Sequence, residues 1–141
     1  MILHGTRSGR DWTTAEEFAA TCRYVSGGAG GLGWHATIGD NDLAIHLPPY
    51  YWGWNARAAS GRYLAVEFAQ PTADRAISDA QVAAFVWWFA LARVDWPDLP
   101  LVFPMHSELP EGIADGKSDV FPRGSYRAAE LRDRIRAALG R

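Results

Sequence analysis

Apolar and polar positions change period several times along the chain, and each change marks a predicted element. "MILHGT" is a short apolar run that turns polar after His4, which predicts a strand with His4 at its end. From Thr13 the pattern becomes helical: Phe18, Cys22 and Val25 recur at helical spacing, and Thr13 with Glu16 three residues on is a capping-box signature. "WHATIG" and "DLAIHL" flank the turn residues "GDND" and predict a β-hairpin. "RYLAVEFAQ" alternates and predicts a further strand, with Glu67 amid apolar neighbours. "SDAQVAAFVWWFALARV", with Ser78 or Asp79 as N-cap, is apolar nearly all round, which predicts a long, largely buried helix with Trp87 and Trp88 in the core. "PLVFPMH" reads as a short strand ending near His106. "SYRAAELRDRIRAALG" reads as an amphipathic helix with Ser125 as N-cap, Leu131, Ile135 and Leu139 inward, and Gly140 as stop. Strands alternating with helices around one hairpin predict the α/β class, a single domain over residues 1–141 with a central mixed β-sheet flanked by helices.

Between the periodic segments lie two unusual loops. "SGGAGGLG" is rich in glycine but has no Lys-Ser/Thr ending, no strand before it and no helix after it, so it lacks the context of a phosphate-binding loop and reads as a mobile loop. "PPYYWGWNARAASG" is aromatic and turn-rich, and the chain's seven tryptophans exceed what a small core needs, so some of these rings are expected to line a groove.

Charge narrows the partners. With a net charge of −2 and no clustered run of Lys and Arg, the footprint of a nucleic-acid binder is absent. No stretch approaches the length of a membrane span and the first residues lack an export-signal pattern, so no membrane insertion is expected and synthesis is expected in the cytoplasm. The lone Cys22 excludes an internal disulfide and a cysteine-based zinc site, and reads as a small buried apolar residue.

Three residues then stand out as candidate metal ligands. His4 and His106 close two predicted strands, and Asp119 follows a loop that begins at His106. Two neutral imidazoles and a carboxylate suit Zn²⁺, and a catalytic zinc site takes three protein ligands and keeps a fourth position open. Spacing permits these three to converge at one sheet edge, and equally permits them to be separate surface residues.

The segments "ILHGTRSG", "GWHATIG", "GWNARAASGRYLAVEFAQ" and "MHSELPEGIADGKSDVFP" occur in the order, and at about the separations, of the motifs of the type-2 N-acetylmuramoyl-L-alanine amidases. The chain resembles that family over nearly its whole length. The family includes phage amidase-type lysozymes, bacterial amidases that recycle cell-wall fragments, and animal peptidoglycan recognition proteins. The resemblance implies that His4, His106 and Asp119 bind zinc, with Asp119 where some relatives carry cysteine, and that Lys117 lies beside the metal. Residues i and i+2 of an extended segment point the same way, so Lys117 and Asp119 can face one site. Glu67 matches the catalytic glutamate of the recycling amidases, and its alternative is a charged residue on the solvent face of an edge strand. Trp34 takes the place of a tyrosine that is catalytic in several phage relatives, which leaves it as a wall or packing residue.

His35 could line the cleft or make a structural hydrogen bond, and His46 reads as structural. Tyr51, Trp52, Trp54 and Asn55 lie in a loop that borders the substrate groove in the family. The function implied is zinc-dependent hydrolysis of the amide between N-acetylmuramic acid and L-alanine in peptidoglycan, by a bacteriolytic, monomeric endolysin acting on the bacterial wall. A cytoplasmic muropeptide-recycling amidase and a non-catalytic peptidoglycan-binding module of the same fold are the alternatives. Non-catalytic members typically lack the third ligand, which Asp119 supplies. The Pro-Gly that often follows that aspartate is replaced here by "VFP", and the loop before it is longer than in many relatives.

Overall fold

The computed structural model describes residues 1–28 and 33–140, so the centre of the glycine-rich segment, residues 29–32, lies outside the described residues. Four strands form the predicted mixed sheet: β1 (Ile2–Gly5), β2 (Ala36–Ile38), β3 (Leu43–Ile45) and β4 (Ala65–Phe68), in the order β1-β4-β2-β3. β4 runs parallel to both β1 and β2, while β2 and β3 form the antiparallel hairpin. The helices are α1 (Thr14–Ser26), α2 (Asp79–Asp95), the short α3 (Pro110–Ala114) and α4 (Tyr126–Ala138), with 3₁₀ turns at Arg57–Arg62 and His106–Glu108.

The period-2 alternation of the strands separates two faces, and that separation makes the site. Leu3, Ala36, Ile38, Val66 and Phe68 point to one side, where they are packed against Phe85, Trp88 and Phe89 of α2 and Leu131 and Ile135 of α4. Side chains of opposite parity point the other way. The registers pair His4 with Glu67 and Glu67 with Thr37, so these three form one row across β1, β4 and β2 on the face opposite the core. Glu67 therefore sits on an interior strand and not on an edge.

Caps form where the sequence places them. Thr13 and Ser78 each accept a hydrogen bond from the third residue of their helix in full capping boxes, and Ser125 caps α4.

Four expectations are corrected. α1 buries Thr14, Glu17 and Thr21, while Cys22 is half-buried, because this helix lies over the polar face of the sheet. Trp87 is 59% exposed whereas Trp88 is fully buried, so the outward side of α2 is apolar without being covered by this chain's described residues. "PLVFPMH" makes only an isolated bridge, Leu3 with Met105, since Pro104 has no N–H to continue a ladder. The loop expected after His106 is folded in its first half into a 3₁₀ turn and α3. No helix among the described residues is long and apolar enough to cross a membrane.

Candidate metal centre and active-site cavity

His4 and His106 reach the same spot from different directions. β1 delivers His4 from the row described above. His106 begins the 3₁₀ turn that the Leu3–Met105 bridge places beside β1. That turn is anchored to α4 by Glu108, which accepts from the Met105 amide at 2.9 Å and receives Arg132 on both oxygens at 2.8 Å. Ser107 then draws the third residue in: its amide donates to the Asp119 carbonyl at 3.1 Å and its hydroxyl to the Phe121 carbonyl at 2.7 Å.

The result is a compact donor set. Asp119 Oδ2 lies 3.3 Å from His4 Nδ1 and 3.3 Å from His106 Nδ1, and the three ligand atoms lie within 4.8 Å of one another. Ligand bonds of about 2.0–2.1 Å in a tetrahedral zinc site imply ligand-to-ligand edges of about 3.3–3.4 Å. Burial pushes the His4 pKa down, against the pull of Asp119, which favours the uncharged ring that a metal would need. Burial would by itself raise the Asp119 pKa, but hydrogen bonds from His106 and His4 outweigh it and hold the carboxyl well below its usual range. A neutral His4, a second imidazole and an ionised carboxylate at these separations fit zinc chemically.

Gly112 shows how closely α3 is fitted to this centre. A Cβ at that position would lie 1.9 Å from the His106 carbonyl oxygen. Gly112→Ala is expected to displace His106 and to destabilise the protein by about 1–3 kcal/mol, the usual range for overpacking, measurable by denaturant unfolding.

A cavity of about 750 Å³ opens over the donor set, and Glu67, Lys117, Trp34, Trp54 and Asn55 share its lining with His4, His106 and Asp119. Glu67 lies 3.9 Å from His4 Nδ1 with its side chain 13% exposed. Its pKa is raised well above the ordinary glutamate value, chiefly by burial and further by the charge of Asp119, with Lys117 opposing. Trp34 is seated by a relay in which its indole N–H donates to Thr37 Oγ1 at 2.8 Å and His46 Nε2 lies 2.8 Å from the same oxygen. His46 thus has the structural role expected. Asn55 donates through Nδ2 to the carbonyls of Gly53 and Gly33, which leaves its Oδ1 buried and without a partner in the cavity lining.

Of the residues named for the groove, His35, Tyr51 and Trp52 lie outside the cavity lining. His35 is buried, with Nε2 3.0 Å from the Tyr51 carbonyl and Nδ1 accepting from the Ala65 amide at 3.1 Å, so it ties the aromatic loop to β4 and does not face the cavity. Trp52 is 60% exposed and outside the lining, and meets it only through an edge contact with Trp54 at 5.4 Å between ring centroids.

Three solved structures share this arrangement of elements. The catalytic domain of XlyA superposes with a TM-score of 0.61 at 19% identity over 96% of this chain and 84% of its own. A mutant endolysin from Bacillus subtilis gives 0.62 at 19% identity, with 96% and 83% covered. A selenomethionine derivative of AmpD gives 0.67 at 16% identity, with 97% and 82% covered. The chain has their fold. The expected amidase-like α/β architecture is therefore met, and identity this low carries the fold alone. No family model and no curated relative matches the chain.

Sequence reasoning missed Arg7 and Glu17, both of which line the cavity. Glu17 accepts from the Ser8 amide at 3.1 Å and the Ser8 hydroxyl at 2.5 Å, which fastens the loop after β1 to α1. Arg57, also in the lining, pairs with Asp115 at 2.7 Å, and Arg62 pairs with Glu111 at 2.6 Å, joining the 57–62 turn to the segment that carries Lys117. Pairs this exposed contribute little to stability. The only sequence signal for Glu17 was a charged residue on the inward side of α1.

Proposed function

We propose that the chain is a zinc-dependent N-acetylmuramoyl-L-alanine amidase of the endolysin kind, which hydrolyses the amide between the muramic acid lactyl group and L-alanine. The observation that carries this reading is the convergence of His4, His106 and Asp119 with Glu67 and Lys117 around one cavity. The resemblance of the motifs and the likeness to an endolysin and to AmpD support it.

His4, His106 and Asp119 would hold the zinc ion, which when bound supplies Lewis-acid polarisation of the scissile carbonyl and a lowered pKa for water. Glu67, largely but not fully buried and with a raised pKa, takes a proton from the attacking water as the C–O bond forms. It passes that proton to the amide nitrogen as the C–N bond breaks, which releases the amine of L-alanine. The Lys117 ammonium stabilises the negative charge that develops on the carbonyl oxygen. Trp34 and Trp54 give the substrate apolar walls, and Asn55 shares that lining.

Mass spectrometry of digested peptidoglycan tests the bond assignment. Intact stem peptides with a free L-alanine amino terminus are expected, and cuts within the stem would contradict it. Parallel digestion of sacculi and of soluble muropeptides decides between wall lysis and fragment recycling, and faster turnover of sacculi is expected. Lys117→Ala is expected to lower kcat by about 10²-fold with zinc affinity unchanged, as measured by chelator competition.

A further inference from the structure

The loop "GTRS" that follows His4 has a use beyond connecting β1 to α1. Arg7 adopts a backbone φ of +48°, a left-handed conformation unusual for any residue but glycine. Hydrogen bonds on both sides fix it there. The Arg7 amide donates to the Gln70 carbonyl at 2.9 Å, and Ser8 is held by Glu17. Before it, Thr6 Oγ1 accepts from the Gln70 amide at 3.1 Å. A strained residue so thoroughly constrained points to a job for its side chain.

That side chain reaches across to the segment containing Asp119. Nη1 donates to Ser118 Oγ at 2.7 Å, Nη2 donates to the Ser118 carbonyl at 2.7 Å and also to the Val120 carbonyl, and Nε donates to Gln70 Oε1 at 3.4 Å. The guanidinium therefore grips the residues immediately before and after Asp119. Gln70 is fully buried and held in turn by its donation to the Arg75 carbonyl at 2.8 Å. Gly5 makes room for it, since a Cβ there would lie 2.4 Å from Gln70 Oε1. With Nε and both terminal nitrogens committed to protein acceptors, Arg7 is directed at the backbone of its own chain and not at a ligand.

We infer that Arg7 is a positioning residue for the metal centre: its guanidinium fixes the Ser118–Val120 segment so that the Asp119 carboxylate meets His4 and His106 at ligand spacing. The inference rests on reading that centre as a zinc site, and not on any choice of substrate. It also explains why "HGTRSG" carries a ligand and its support within four residues, since His4 enters from β1 while Arg7, just beyond the strand, brings in the distant Asp119.

Arg7→Gly provides the test, because glycine adopts the left-handed backbone without strain while the whole side chain, guanidinium included, is lost. Zinc affinity measured by chelator competition is expected to fall about 10–100-fold, as when a ligand loses its supporting partner. The unfolding midpoint of the metal-free protein should fall by less than that of the zinc-bound protein, so that the increment produced by zinc shrinks. A purely architectural role would instead lower both midpoints together. Arg7→Lys should fail to restore affinity, since one ammonium cannot reproduce a planar fork with several acceptors. If Arg7→Gly does not fold, Ser118→Ala, which removes one acceptor, is expected to weaken zinc binding to a smaller degree. Wild-type zinc affinity in the folded Arg7→Gly protein, or in Ser118→Ala where that is the protein available, overturns this inference alone. A wild-type chain that binds no zinc overturns it together with the metal-site reading.

Discussion

Glu67→Gln is expected to lower the rate of amide hydrolysis by about 10²–10⁴-fold, the range for loss of a positioned general acid or base. Zinc affinity should be retained, because Glu67 is not among the three grouped ligands. The amide is close in shape to the carboxyl, so β4 and its neighbours keep their packing and the loss reports on proton transfer. The same substitution has a second consequence in the metal-free protein. Burial, then the charge of Asp119, raises the folded-state pKa of Glu67 well above its ordinary 4.5. The folded state therefore binds more protons than the unfolded chain between these two values, so the contribution of Glu67 is full below 4.5 and is lost as pH rises. Glutamine does not titrate, so the stability of metal-free Glu67→Gln should decline less with rising pH than that of wild type. Urea midpoints across a pH series read this directly. A variant that loses activity and also declines as steeply as wild type would contradict the assigned environment of Glu67.

Removal of a ligand has the largest expected effect. His106→Ala or Asp119→Ala is expected to reduce hydrolysis by about 10³-fold or more, since metal polarisation supplies several kcal/mol of transition-state stabilisation. Zinc content after dialysis should fall with it. The two variants are expected to differ in the metal-free state. Asp119 faces both imidazoles, and its folded pKa lies below the ordinary 3.8, so its contribution to stability is present above that value and lost as pH falls below it. Asp119→Ala should remove that acid dependence, whereas His106→Ala leaves the carboxylate its contact with His4 at 3.3 Å. Retained zinc and activity in either variant would remove that residue from the centre.

The elements that carry this site were legible in the sequence because they obey simple periods, while the roles expected of its residues came from the resemblance of the motifs. A short apolar run placed His4 at the end of a strand, alternation placed Glu67 in another, and the i, i+2 spacing of Lys117 and Asp119 allowed both to face one site, where both line the cavity. Legibility ended where a role depends on a contact distant in sequence. Nothing local distinguishes Arg7 from other loop arginines, since its acceptors lie at Ser118 and Val120. For His35 the sequence left open cleft lining or a structural hydrogen bond, and the structure has the second, with both ring nitrogens committed to backbone. Trp87 and Trp88 were read alike, although adjacent helical positions point about 100° apart and only Trp88 reaches the sheet. Pro104 was visible all along, and its missing N–H explains why the Leu101–Met105 segment bridges β1 at a single point.

The central claim, hydrolysis that depends on zinc held by this chain, is tested most directly by titrating zinc into chelator-stripped protein while following the release of L-alanine amino termini from purified peptidoglycan. Recovery that saturates near about one equivalent, as for a single three-ligand site, is the predicted result. Full activity in the stripped protein, or none after zinc is restored to a folded chain, would contradict it.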